Sequence, residues 1–151
     1  MEVFRISRSK YTNDLSGEGA RLYGGRWNRP GLSALYTSQS RALALLELIV
    51  HFNSVDALCL DYDFLTLDIE DSMIVSLCEE VEMYKKENKI FPCREKTEML
   101  FIQQNVLGIR VPSLIIPEEC NIIINPVHDW MKSVKILKKE SVVIDKRLRP
   151  D

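Results

Sequence analysis

Four short β-rich segments close the chain: IRVPSLIIP (109–117), NIIINP (121–126), SVKIL (133–137) and SVVID (141–145), separated by proline and polar breaks. At such close spacing they predict a meander of antiparallel strands. They exclude the strand–helix alternation that a doubly wound parallel sheet requires. Earlier in the chain VFRIS (3–7), SALYT (33–37) and ALCLDYDFLTLDI (57–69) also have strand composition. EDSMIVSLCEEVEMYKKE (70–87) is patchy, and REKTEMLFIQQNVLG (94–108) reads as a helix stopped by Gly108. The class is α+β. With 151 residues, no internal repeat and no linker rich in Pro, Gly or Ser, residues 1–151 make one domain.

After the strand 33–37, Ser38 stands where a helix N-cap is expected, ahead of QSRALALLELIVHF (39–52), which contains neither Gly nor Pro. From Ala42 to Phe52 every residue except Glu47 and His51 is apolar, the pattern of a helix buried on nearly every side. Glu47 and His51 are spaced i, i+4 and so share one face. An ionised carboxylate on such a helix must find a partner, face a polar cavity or carry a raised pKa. Two readings of Glu47 stand: a functional carboxylate, or a structural bridge to His51 or an arginine.

Residues 8–32 are polar and glycine-rich with little periodicity, which makes a long loop. It carries Tyr23 and Trp27, so it is expected to be an ordered binding loop. Its core, GARLYGGRWNRPG (19–31), holds four glycines. Gly24 and Gly25 lack a Cβ and let the backbone approach a ligand, and Arg26 follows them with a fork of donors suited to phosphate or carboxylate. A surface arginine on a turn explains the same letters. Trp27 fits either a stacking platform or an anchor into the core, and Tyr36 a half-buried core ring. Ser113 reads as a turn or strand-edge hydroxyl and His128 as a loop residue.

The net charge of −2 and pI near 5.8 argue against a broad nucleic-acid face, while leaving room for a local basic pocket. No run approaches the ~18 apolar residues of a membrane-spanning helix, so a cytoplasmic protein without membrane contact is expected. Cys59, Cys78, Cys93 and Cys120 form no C-x-x-C pair, and His51 and His128 are the only histidines. No metal site is expected, and the cysteines read as reduced, mostly buried thiols.

The order and spacing of these features resemble a known family. LSGEGARLYGGRWNRPGLSALYTSQSRALALLELIVH (15–51), with G-G-R-W-N, a tyrosine ten residues on and a glutamate eleven beyond that, is similar to the signature of the RES domain. That family supplies the toxin half of RES–Xre toxin–antitoxin systems. The resemblance continues through VPSLIIPEECNIIINPVH (111–128) and VVIDKRL (142–148). It implies a compact fold like the ADP-ribosyltransferase toxins, with antiparallel strands and a buried helix carrying Glu47.

It further implies NAD as substrate, with no prosthetic group, and a catalytic set of Arg26, Tyr36, Glu47 and Ser113. Arg5, Gly24, Gly25, Arg26 and Tyr36 would line the NAD pocket. The implied activity is cleavage of the nicotinamide–ribose bond, as a glycohydrolase or phosphorylase, with water, inorganic phosphate or a target protein as acceptor. The implied partner is an Xre-like helix-turn-helix antitoxin, with a homodimer in that complex compatible with the family and no direct nucleic-acid contact. Two alternatives remain: a protein ADP-ribosyltransferase toxin, or a catalytically weak NAD-pocket module acting through a partner protein. The chain departs from the family pattern in 88–108, where a glycine–aspartate–tryptophan-like element is replaced, and at Asp129, where a proline is usual.

Overall fold

Alternation along the first strand sets the two faces of the molecule. In β1 (Glu2–Arg8) Val3 is fully buried on one side, while Phe4 and Ile6 point to the other and line a cleft. The computed structural model describes residues 1–51 and 60–148, and within them the remaining strands are β2 (Leu35–Ser38), β3 (Tyr62–Asp68), β4 (Ile74–Ser76), β5 (Gly108–Pro112), β6 (Cys120–Ile124) and β7 (Lys135–Val142). They form one sheet in the order β4-β5-β6-β2-β1-β3-β7. All neighbours are antiparallel except β4 and β5, so the expected antiparallel set becomes a mixed sheet. β1 pairs with β3 from Glu2↔Asp68 to Arg8↔Tyr62, yet it meets β2 through Phe4↔Ser38 alone.

The closing meander is corrected. β5 and β6 do pair as antiparallel neighbours, but SVKIL and the start of SVVID are one continuous strand, β7, which crosses to the opposite edge and pairs with β3. The polar stretch between them, Lys138–Lys139–Glu140, looks like a break in sequence. On an edge strand its charged side chains simply face solvent, and Lys139 pairs with Asp63 at 3.2 Å. Ile122, Ile123 and Ile124 of β6 are all fully buried because both faces of this central strand are covered. Ile123 packs with Trp27, Phe91 and Phe101 on the cleft side, and Ile122 and Ile124 pack with Val3, Leu65 and Leu67 on the other.

The helices are α1 (Glu18–Tyr23), α2 (Arg41–Ile49), α3 (Cys78–Lys86) and α4 (Cys93–Glu98), the last continuing as a wider π turn over Met99–Gln103. Four expectations change here. The 8–32 segment is ordered but includes a short helix, α1. The N-cap of α2 is Ser40, whose Oγ accepts the Leu43 N–H at 3.1 Å; Ser38 still belongs to β2. The helix expected to end at Gly108 ends instead near Asn105, at a positive φ of 49°, while Gly108 opens β5.

Finally, α2 is not buried on nearly every side: Leu43 and Ala44 are buried, and Val50 is 56% exposed. It lies against β1 and β2. Phe52 and Cys59 fall outside the described residues, and no described helix is long and apolar enough to cross a membrane.

Candidate active site

A cleft of about 630 Å³ opens on the face of the sheet that carries Phe4, Tyr36, Ser38, Asn121 and Ile123. One wall is α2 with Glu47. The opposite wall is the segment 24–27, with Gly19 and Ala20 of α1 at the rim. The volume lies within the range of small-molecule sites, about 300–1,000 Å³.

Glu47 is held at one oxygen. Its Oε1 accepts a hydrogen bond from Ser113 Oγ at 2.9 Å and another from Asn121 Nδ2 at 2.5 Å. Among the described residues no His, Lys or Arg lies within ion-pair distance of it, so the structural bridge to His51 or an arginine does not form. The partners that hold the half-buried carboxylate are neutral donors. His51 lines the cleft one turn further along α2, exposed to solvent.

Ser113 reaches Glu47 because β5 stops at Pro112, which has no N–H to continue the ladder. The turn that follows is wound around the serine: Ser113 Oγ accepts the N–H groups of Ile115 and Ile116 at 3.0 and 3.2 Å. Its own N–H donates to the Glu119 carbonyl, and the Glu119 carboxylate accepts from Ser40 Oγ at 2.7 Å. The turn bearing Ser113 is thereby tied to the first residues of the helix bearing Glu47. Ser113 thus donates to Glu47 while its own oxygen accepts two backbone N–H groups.

The other wall is stitched locally. Asn28, 0% exposed, donates to the carbonyls of Ala20 at 2.7 Å and Leu32 at 2.9 Å, and accepts the Tyr36 hydroxyl at 2.8 Å. That hydroxyl in turn accepts the Trp27 N–H at 3.1 Å, and burial holds its pKa above the ordinary tyrosine value. Gly25 is glycine because the Tyr36 hydroxyl sits where a Cβ would go. Gly24 has φ 71° and packs against Pro30. Trp27 is the anchor: it is buried, with its ring 5.9 Å from that of Phe91.

Arg26 alone of this segment keeps an exposed side chain facing the cleft. It lies beside the Cys93 thiol; burial raises the pKa of that thiol and the guanidinium partly offsets the effect.

Arg26, Tyr36, Glu47, Gly24 and Gly25 therefore come together around one cleft, with Ser113 touching it through Glu47. Arg5 does not join them. It points to the opposite face of the sheet, donating to Ser7 Oγ at 3.1 Å, and burial depresses its pKa despite the opposing pull of Asp14. Strand alternation accounts for this, since Phe4 and Ile6 take the cleft side. His128, read as a loop residue, is buried: its Nδ1 accepts the Trp130 N–H at 3.0 Å and its Nε2 meets the Asn105 carbonyl at 2.7 Å.

Three participants escape a reading of the sequence. Asn121 and Asn28 look like ordinary polar breaks beside apolar letters, although both belong to motifs that stand out, N-x-x-x-N-P and G-G-R-W-N. Arg94, from the segment that departs from the family pattern, donates from Nε to the Gly25 carbonyl at 2.9 Å and lends positive charge near Tyr36. The described cysteines are half-buried rather than mostly buried. Cys78 and Cys120 lie with sulfurs 3.3 Å apart, and burial together with Cys78 pushes the Cys120 thiol up to about 11.

Comparison with known proteins places the chain among relatives. The model of the RES domain family matches residues 2–145. A protein of Photorhabdus laumondii named Toxin Res is 36% identical over 154 residues, covering 98% of this chain and 97% of that one. The Prs ADP-ribosylating toxin of Sphingobium sp. is 34% identical over 151 residues, covering 94% and 91%. In fold, the chain is similar to one chain of the M. tuberculosis MbcT–MbcA toxin–antitoxin complex, with a TM-score of 0.71 at 18% identity over 93% of this chain and 83% of that one.

Proposed function

The chain belongs to the RES domain family, and from that premise we propose that it is a toxin that cleaves the nicotinamide–ribose bond of NAD. The observation that carries this reading is Glu47: a carboxylate with one oxygen held by Ser113 and Asn121, facing a dinucleotide-sized cleft across from Arg26.

In the reaction the C–N bond between the ribose and nicotinamide breaks, and its electron pair leaves with the ring nitrogen, so nicotinamide departs neutral. The ribose carbon is left as an oxocarbenium-like centre. A fixed carboxylate beside the ribose stabilises that growing positive charge. Arg26 supplies the matching charge for the pyrophosphate, and the Tyr36 ring offers a face for nicotinamide. Water then adds to the ribose carbon and releases a proton to solvent, or phosphate adds through one of its anionic oxygens with no proton to lose.

A protein side chain as acceptor is a second reading, favoured by the relative named as an ADP-ribosylating toxin. The partner is an Xre-like helix-turn-helix antitoxin that covers the cleft, and the site of action is the cytoplasm, where NAD is abundant.

Purified protein free of antitoxin should release nicotinamide from NAD, and Glu47→Gln should abolish release with the fold intact. Repeating the assay with and without phosphate separates hydrolysis from phosphorolysis. Transfer of labelled ADP-ribose to a protein band identifies the second reading. Folded wild-type protein that leaves NAD intact under all three conditions would end the proposal.

A further inference from the structure

The polar network behind Glu47 extends one step beyond the residues that motif comparison selects. Asn121 points its side chain between two groups: Nδ2 lies 2.5 Å from Glu47 Oε1, and Oδ1 lies 2.6 Å from Ser38 Oγ. The amide orientation is fixed by chemistry, because a carboxylate oxygen accepts only, so the NH2 group must face Glu47 and the carbonyl must face Ser38, whose hydroxyl donates to it. Ser38 and Asn121 are themselves a register pair between β2 and β6, and Phe4 pairs with Ser38 from β1. Ser38 is buried, which limits the rotation of its hydroxyl to that partner.

Two donors thus converge on Oε1, from Asn121 on β6 and from Ser113 in the turn after β5. Oε2 has no hydrogen-bond partner among the described residues. The network selects one oxygen for holding and leaves the other for substrate.

We propose that Asn121, oriented by Ser38, is a positioning residue that fixes the Glu47 carboxylate with Oε2 as the oxygen presented to the ribose. This rests on reading the cleft as an NAD-cleaving site, and it assigns to the N-x-x-x-N-P run a role in catalysis through Glu47. Ser38 acquires a role as well, since removing its hydroxyl frees the Asn121 amide to rotate and so loosens Glu47 at second hand.

The test combines kinetics with crystallography on the full chain. Asn121→Leu keeps the side-chain shape and removes the donor; it should lower kcat for nicotinamide release about 10- to 100-fold, with KM within about two-fold of wild type. Asn121→Asp, isosteric and without a donor toward a carboxylate, serves where the leucine variant does not fold, and should lose at least as much. Ser38→Ala should lose about 3- to 10-fold and cost nothing further when added to Asn121→Leu, because it acts only through that amide. Ser38→Thr, which keeps a hydroxyl at this position, should recover part of the kcat that Ser38→Ala loses.

In crystals, Glu47 should hold one orientation in wild type and lose it in the Asn121 variants. A folded Asn121 variant with wild-type kcat, an additive Ser38→Ala, or a Glu47 unmoved in variant crystals would overturn the proposal. Loss of Glu47 order in a chain whose wild type leaves NAD intact would overturn the functional reading alone.

Discussion

On one side of the cleft Glu47 is held by Ser113 and Asn121, which lie 66 and 74 positions away in sequence. On the other side, the hydrogen bonds of Asn28 to Ala20, Leu32 and Tyr36 span eight residues or fewer. The first wall exists only once β5, β6 and α2 have assembled, so its carboxylate is placed by the whole fold. The second is a local knot tied to the core by Trp27, and it leaves Arg26 without a restraint of comparable kind. The difference teaches where each kind of damage should appear: variants of the knot should cost stability, whereas variants of Arg26 should weaken NAD binding and variants of the Glu47 network should cost turnover.

The largest effect on stability is expected from Asn28→Ala, which takes the Nδ2 donor from the half-buried carbonyls of Ala20 and Leu32 and the acceptor from the Tyr36 hydroxyl. It should cost about 3 kcal/mol and lower Tm by roughly 10 °C in a calorimetric scan. A smaller change would mean that the loop wall is held chiefly by Trp27. Tyr36→Phe keeps the ring but leaves the Trp27 N–H without its acceptor, and should cost about 1–2 kcal/mol while NAD still binds.

Arg26→Ala should leave stability within about 0.5 kcal/mol of wild type while raising KM for NAD, read from nicotinamide release. A fall in Tm comparable to that of Tyr36→Phe would make Arg26 part of the knot and erase the distinction. The smallest effect concerns pH. The Cys120 thiol, raised from 9.0 to about 11, and the Tyr36 hydroxyl, also raised, both stay protonated in the fold after the unfolded chain has ionised. The unfolded state then binds fewer protons, so denaturant stability should decline as pH rises from about 9 to 11. Cys120→Ser should flatten that decline.

The contrast between the walls also explains what can be read from the letters. Glu47 is legible because a carboxylate in an otherwise apolar helix is an anomaly that demands an environment, and G-G-R-W-N is legible because its bonds are local. The strand segments are legible as apolar runs, including the three consecutive isoleucines of β6. Their order is not: nothing near Lys135–Val142 tells that its partner is β3, about seventy residues upstream, so a meander looks sufficient.

Asn121 escapes because an amide at the edge of an isoleucine run reads as a break, and its meaning comes from Glu47 and Ser38 on other elements. Arg5 misleads for a related reason, since a one-residue step along β1 decides which face a side chain takes. The burial of α2 is overestimated because composition states what a helix could bury, while β1 and β2 set how much it does bury.

The most direct measurement is nicotinamide release from NAD by wild type and Glu47→Gln, each freed of antitoxin and matched for Tm. Wild type should turn NAD over, and the variant should lose about a hundred- to a thousand-fold, the scale of removing a group that stabilises transition-state charge. Release that persists in Glu47→Gln would put the chemistry on other residues and leave the Ser113–Asn121–Glu47 network as structure alone.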